Sequence, residues 1–210
     1  MNPILQHLSQ IKHTASPQQC LLFETFFEQL FLWNKTHNLT RIDEKKEFMQ
    51  KHLIDSLSIS PYIQDRKQII DVGSGAGFPG IILACINPSH QFTLIESSAK
   101  RCAFLRHIKS LLKLPHVTVL QTRVENALLD IHNGYILTRA FAPLNRQIKI
   151  MEKLIINNND LLAMKGRINE LEIEEVKSVI QKIIPLPLSK ETSHRHLIYI
   201  KFHVKPDINL

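Results

Sequence analysis

The sequence predicts an α/β fold: a mostly parallel sheet covered by helices on both faces and preceded by a helical extension. Three observations carry this. From Gln68 onward, short apolar, β-branched runs alternate with helical patterns. There are seven such runs, and the last two are joined by "PLPLSKETSHRH", which has no helical period, so they pair antiparallel. The first third has helical periodicity instead.

The elements follow in order. Ser16 before Pro17 reads as an N-cap and a first-turn proline. Leu22, Phe26, Leu30 and Trp33 then recur at helical spacing beside Phe23, Phe27 and Phe31, so this helix is apolar on more than half its circumference and must pack against something large. A second helix is expected from Asp43 to Leu57, with Phe48, Leu53 and Leu57 inward. The strands are "QIIDV", "FTLIE", "VTVL", "YILTRA", "DLLAM", "VIQKII" and "LIYIKF". Helices are expected between them at Pro79–Ile86, Ser98–Leu112, Pro143–Ile156 and Arg167–Ser178. Residues 1–67 thus form a helical extension and 68–210 a ligand-binding domain.

Bulk properties narrow the function classes. A chain of 210 residues is long enough for one substantial core. No apolar run reaches the roughly 20 residues that cross a bilayer, and "MNPILQHLSQ" lacks the pattern of a signal peptide. Cys20, Cys85 and Cys102 sit in apolar contexts without CxxC spacing and read as core thiols of a cytoplasmic protein. The eleven histidines show no HExxH-type spacing, so no metal is assigned. The net charge of +7 suggests a polyanionic partner. It is uneven: six basic residues and no acidic one lie between Ser97 and Val124.

The stretch "DVGSGAGFPG" from Asp71 to Gly80 holds four glycines directly after the first strand of the α/β region. A turn that merely joins strand to helix needs one. Four let a ligand approach the backbone without meeting a β-carbon. The text fits two templates. Gly75-x-Gly77-x-x-Gly80 matches the dinucleotide fingerprint of an NAD(P)-dependent oxidoreductase. Asp71-x-Gly73-x-Gly75-x-Gly77 matches the loop of enzymes that use S-adenosylmethionine (SAM). Glu96, ending the second strand, suits the ribose hydroxyls of either ligand. Asp71 separates them by charge: a pyrophosphate wants N–H groups and not a carboxylate, whereas SAM carries an ammonium and a sulfonium. Pro79 removes an N–H that a phosphate would use. SAM is therefore favoured. A second reading of Asp71, as a residue that caps the turn, stays open.

Several pieces together resemble the bacterial 16S ribosomal RNA guanine-N7 methyltransferases, the glucose-inhibited division protein B family. They are "NLTRI" at Asn38–Ile42, "HLIDSL" at His52–Leu57, "DVGSGAGFPGI" at Asp71–Ile81, "KRCAFL" at Lys100–Leu105, "RVE" at Arg123–Glu125, "TRAFAPL" at Thr138–Leu144 and "AMKG" at Ala163–Gly166. The resemblance implies a class I SAM-dependent methyltransferase fold: seven strands, the last inserted antiparallel, plus an N-terminal helical extension. It also implies SAM contacts at Gly73, Phe78, Val124, Glu125 and Arg139, and methylation of guanine 527 in 16S rRNA, free or in the small subunit, by a cytoplasmic monomer. Two departures stand out: Glu96 where the family has Asp, and Thr138 where it has Ser.

Guanine N7 has a free lone pair, so the transfer needs alignment and no general base. Arg139 is the candidate catalytic residue, placing the guanine or the cofactor. Asp71, Gly73, Gly75, Gly77, Phe78, Glu96, Val124, Glu125 and Arg139 are the candidate cofactor contacts. His52 and Asp55, three apart on a helix, either line the site or tie the extension to the sheet. On the helix from Ser98, an apolar face of Phe104, Leu105, Ile108, Leu111 and Leu112 stands opposite Arg106, Lys109 and Lys113. That basic face is either solvated surface or a contact for the RNA backbone.

Overall fold

The architecture is taken from a computed structural model that describes Leu8 and residues 14–40, 49–186 and 194–202. Helix α1 is Pro17–His37. Its start is a capping box: Ser16 Oγ accepts from Gln19 N, and Gln19 Oε1 accepts from Ser16 N. It ends at Asn38, whose φ of 48° is left-handed. Phe23, Phe26, Phe27 and Leu30 are buried, while Leu22 and Trp33 lie partly buried at the edges of the stripe. The expected second helix begins outside the described residues, as does Phe48. Within them, Met49–Ile54 is a π-helical turn that runs into a short α2, Asp55–Leu57, with Leu53 and Leu57 buried.

The remaining elements alternate as the sequence predicts. They are β1 Gln68–Val72, α3 Gly80–Ile86, β2 Gln91–Glu96, α4 Ala99–Leu111, β3 Val117–Gln121, β4 Tyr135–Arg139, α5 Leu144–Ile150, α6 Glu152–Ile155, β5 Asp160–Lys165, α7 Glu170–Glu175, β6 Ile180–Pro185 and β7 His196–Ile200. The helix expected over Pro143–Ile156 is broken at Met151, whose φ of −102° is not helical. The one expected over Arg167–Ser178 shrinks to α7, which has no fully buried residue to hold a longer helix down.

The seven strands lie in the order β3-β2-β1-β4-β5-β7-β6. All neighbours are parallel except β7, which is antiparallel to both β5 and β6. The chain moves outward from β1 to β3, then returns to place β4 beside β1. Helices leaving those two strands diverge, so a crevice opens at their C-terminal ends, where α/β sheets bind ligands.

Strand parity decides which layer each side chain meets. Ile69, Leu137, Leu162 and Leu197 point to one face and share a core with Phe23, Phe26, Leu53, Ile81 and Phe104. The helical extension and the sheet are therefore packed into a single core. Ile70, Ile136, Leu161 and Ile198 point to the other face, against Leu144, Met151 and Leu154. Cys20, Cys85 and Cys102 are buried free thiols, and burial pushes the Cys85 thiol up to about 12. No helix among the described residues is long and apolar enough to cross a membrane.

At the opposite end of the sheet, Asp160 is fully buried. Its Oδ2 takes Arg66 Nη2 at 2.6 Å and the Tyr199 hydroxyl at 2.8 Å. Arg66 also donates to the Gly134 carbonyl at 2.9 Å. Removing the cation from such a buried pair leaves an uncompensated charge. Arg66→Met is expected to lower the unfolding free energy by about 3 kcal/mol. Part of that loss should return in the Arg66→Met/Asp160→Asn double variant, as read by urea denaturation.

Candidate functional site

The loop after β1 is held from behind. Asp71 follows Ile69 by two, so its side chain points toward α3 and not into the crevice. Its Oδ2 accepts the N–H of Gly80 at 3.0 Å, and Ser74 Oγ donates to the Asp71 carbonyl at 2.9 Å. Asp71 thus caps the first turn of α3 and ties the two ends of the loop together. Burial pushes its carboxyl up to about 7, against the opposing pull of the Gly80 N–H.

The glycines divide the work. Gly73 has φ +71°, and a β-carbon there would stand 2.7 Å from the Phe141 ring. At Gly80 a β-carbon would meet Leu94 Cδ2 at 2.4 Å and Asp71 Oδ2 at 2.5 Å, so only glycine lets the carboxylate reach the amide. Gly77 packs on Ile81 and Leu105, inside the protein and away from the crevice.

Two cavities meet at Gly73, with Arg101 and Ala140 also common to both. The smaller, about 320 Å³, is lined by Glu96, Val124, Glu125, Thr122 and Phe141. Glu96 is 5 % exposed. Its Oε2 accepts from Gly75 N at 2.9 Å and its Oε1 from Ser98 N at 2.8 Å, and Arg101 Nη1 lies 3.7 Å from Oε2. Each oxygen keeps a further lone pair. The extra methylene of Glu over Asp spans to the loop amide.

The larger cavity, about 1030 Å³, is lined by Gly75, Phe78, His52 and Arg139, with Asn34 and Thr40 from the helical extension. His52 stacks on Phe78, ring centroids 4.3 Å apart and planes 15° apart. Phe78 sits edge-on to Phe26 of α1. Arg139 leaves β4 on the same face as Leu137, toward these rings. Its Nη1 meets His52 Nδ1 at 2.6 Å, its Nε lies 2.9 Å from Asp55 Oδ2, and its guanidinium carbon is 5.8 Å from the Phe78 centroid. Arg195 Nε approaches the other Asp55 oxygen at 3.6 Å. Burial lowers the Arg139 pKa and the Asp55 carboxylate opposes that. An arginine starting so high stays charged.

Both readings of His52 and Asp55 therefore describe the molecule. His52 lines the cavity, and Asp55, 1 % exposed, ties the extension to β4. The structure brings Gly73, Gly75, Phe78, Glu96, Val124, Glu125 and Arg139 together and leaves Asp71 and Gly77 behind the loop. Arg106, Lys109 and Lys113 lie on α4 and just past its end, outside both cavities, with Arg106 Nη1 3.4 Å from Gln121 Oε1. Leu111 does not belong to the inward face: it is the last residue of α4 and 44 % exposed, and Leu114 takes a buried place just beyond the helix. Arg101 and Phe141 were missed by sequence reasoning. Arg101 and Phe141 carried a signal in the "KRCAFL" and "TRAFAPL" matches, whereas the contact between Phe141 and Gly73 has none in sequence. Among the described residues no group of His, Cys, Asp or Glu could hold a metal ion.

The Asp71 carboxyl makes stability depend on pH with a definite sign. Its folded pKa is raised, so the folded state holds this proton more tightly than the unfolded chain. The stabilising effect of that proton is present below the ordinary carboxylate range near pH 4 and is lost as pH rises toward about 7. Asp71→Asn keeps an oxygen for Gly80 N but carries no such proton. Its stability relative to wild type is expected to improve by about 1.4 kcal/mol per pH unit across that window and to level off above it. Denaturant midpoints measured from pH 4 to 8 check this.

Comparison with known proteins is consistent with this architecture. Residues 19–198 match the family model described as rRNA small subunit methyltransferase G. Curated proteins named "Ribosomal RNA small subunit methyltransferase G" are similar over most of their length. The one from Actinobacillus succinogenes is 40 % identical over 80 % of this chain and 81 % of its own. The one from Haemophilus influenzae is 39 % identical over 92 % and 96 %. Among solved structures, a SAM-dependent methyltransferase from Aquifex aeolicus aligns with a TM-score of 0.58 at 15 % identity, covering 78 % of this chain and 96 % of that one. A structure titled as a putative rRNA methylase from Clostridium thermocellum aligns at 0.53 and 14 %, covering 70 % and 92 %. These two show the fold alone. The sequence matches and the SAM-methyltransferase fold agree, and the chain belongs to the rRNA small subunit methyltransferase G (GidB) family of methyltransferases.

Proposed function

We propose that this chain transfers a methyl group from SAM to N7 of a guanine in 16S rRNA, guanine 527 by the resemblance of its motifs. The observation that carries the reading is the pair of cavities joined at Gly73, one built around a buried acid and the other around aromatic rings and an arginine.

The residues present fit the cofactor. Glu96 would hold the ribose hydroxyls with its remaining lone pairs, and the apolar Val124 suits a base face beside it. Gly73 and Gly75 would let the rest approach the loop backbone. When bound, SAM supplies an electrophilic methyl on a sulfonium. The dinucleotide alternative loses its main attraction at α3: the Gly80 N–H, which a pyrophosphate would use, already donates to Asp71, and Pro79 has none.

For the acceptor, the chain needs to hold a guanine plane without blocking N7. Arg139 reaches the larger cavity with its guanidinium oriented by Asp55 and His52, and it has the donors to bond guanine O6. A locked donor that fixes the base contributes mainly through alignment, an effect that supplies roughly 7–11 kcal/mol in favourable cases. Arg106, Lys109 and Lys113 would meet phosphates of the flanking RNA.

Labelled methyl from SAM is expected in small-subunit RNA, with the modified base mapped to a guanine N7. No incorporation into any subunit preparation, with SAM shown to bind, would sink the reading. Arg139→Ala also leaves the buried Asp55 without its nearer cation, so it is compared in protein that circular dichroism shows to be folded, where it is expected to lower transfer by about 100-fold. Unaltered transfer and SAM affinity would remove the arginine from the site. Changing Arg106, Lys109 and Lys113 together to Glu should weaken RNA binding. It should also flatten the slope of log affinity against log salt by about 0.7–0.9 for each phosphate that the face no longer neutralises. An unchanged slope returns this face to solvent.

A further inference from the structure

We infer that the Lys165–Glu172 ion pair is a positioning device: it fixes the chain between β4 and α5 so that Phe141 walls the smaller cavity, and it thereby sets the affinity for the cofactor. The inference rests on the methyltransferase reading above.

The segment between β4 and α5 is short and sharply bent. Ala140 has φ +48°, which turns the chain off the end of β4. Phe141 follows, 39 % exposed, yet its ring abuts Gly73 so closely that a β-carbon there would clash at 2.7 Å. An aromatic ring this exposed keeps its place only if the backbone beneath it is held.

Two side chains from distant elements hold it. Lys165 Nζ, at the end of β5, donates to the Ala142 carbonyl at 2.9 Å. Glu172 Oε1, on α7, accepts from Leu144 N at 2.7 Å, capping the first amide of α5, where Pro143 has no side chain to do so. The same Glu172 oxygen takes Lys165 Nζ at 2.6 Å. Carbonyl, ammonium, carboxylate and amide form a continuous chain that begins at Ala142 and ends at Leu144. Gln147 Nε2 adds a second donor to Ala142 O at 2.6 Å, and Thr138 Oγ1 donates to Gln147 Oε1 at 2.7 Å.

Both members of the pair are sheltered, with side chains 19 % and 17 % exposed. Charge-assisted bonds in such surroundings are stronger than neutral ones. Neither residue lines either cavity. Core packing accounts for only part of α7: Ile173 is partly buried against the core and Val176 is buried at its end, but none of the helix's own residues is fully buried and Leu171 is 77 % exposed. Besides Ile173, α7 contributes Glu172 at the α5 amide and Glu175 at Asn145 Nδ2, at 2.6 Å. Both brace the segment that carries Phe141.

The test is a thermodynamic cycle on the full chain, with S-adenosylhomocysteine as the probe and calorimetry as the readout. Lys165→Met and Phe141→Ala are each expected to weaken binding about tenfold. The double variant should bind no worse than the weaker single, because both remove the same wall. Lys165→Arg should restore affinity. In the ligand-free protein, Lys165→Met and Glu172→Gln should speed hydrogen exchange at the Leu144 amide. Additive losses, or unaltered affinity in folded variants, would overturn the inference. If Lys165→Met does not fold, Glu172→Gln takes its place in the cycle. Wild-type protein that fails to bind the probe would overturn the methyltransferase reading itself and this inference with it, an outcome distinct from variants that merely match the wild type.

Discussion

The contact on which the rest of the site depends is the buried ion pair between Asp55 and Arg139. It joins the helical extension to the C-terminal edge of the sheet, and it does so beside the cavity. A carboxylate 1 % exposed is costly to bury unless its partners are close. Two arginines supply that, Arg139 at 2.9 Å and Arg195 at 3.6 Å. In return, Asp55 restricts the directions in which the Arg139 guanidinium can point. His52 on the same short stretch meets the arginine and stacks on Phe78. One polar contact thus orients the guanidinium, the imidazole and the aromatic ring together.

The glycine loop obeys a similar economy. Asp71 orders the loop from below, and Glu96 from the side, through Gly80 N and Gly75 N. Two acids at the ends of adjacent strands hold one loop, but only Glu96 faces a cavity. On the crevice side Gly73 and Gly75 line the cavities and present no β-carbon to them. Rigidity behind and access in front are what a site that aligns two reactants requires.

Much of the fold was legible because it rests on periodicity. The seven strands, the antiparallel ending and the capped first helix each have a local signature, as Ser16–Pro17 and "FTLIE" show. The glycine loop and Glu96 were legible because their spacing is itself the chemistry. Other features depend on distance across space. The break at Met151, the short α7 and the exposure of Leu111 have no such local signature. The direction of Asp71 lay half-hidden in strand parity: two residues after Ile69, it shares that residue's face. The bracing of Phe141 by Lys165 and Glu172 joins β5, α7 and a bend, and no sequence spacing encodes it.

The tie between the extension and the sheet also sets how much of the chain the site draws on. His52 and Arg139 are 87 residues apart in the chain, and Arg195 joins them from beside β7. Closing loops of this length costs more chain entropy than forming the local helices and neighbouring strands. The glycine loop is assembled from residues close in sequence and from the end of β2, whereas the arginine is oriented only where the extension, β4 and the chain before β7 meet. The two halves of the cleft thus differ in how much of the chain must be in place to build them.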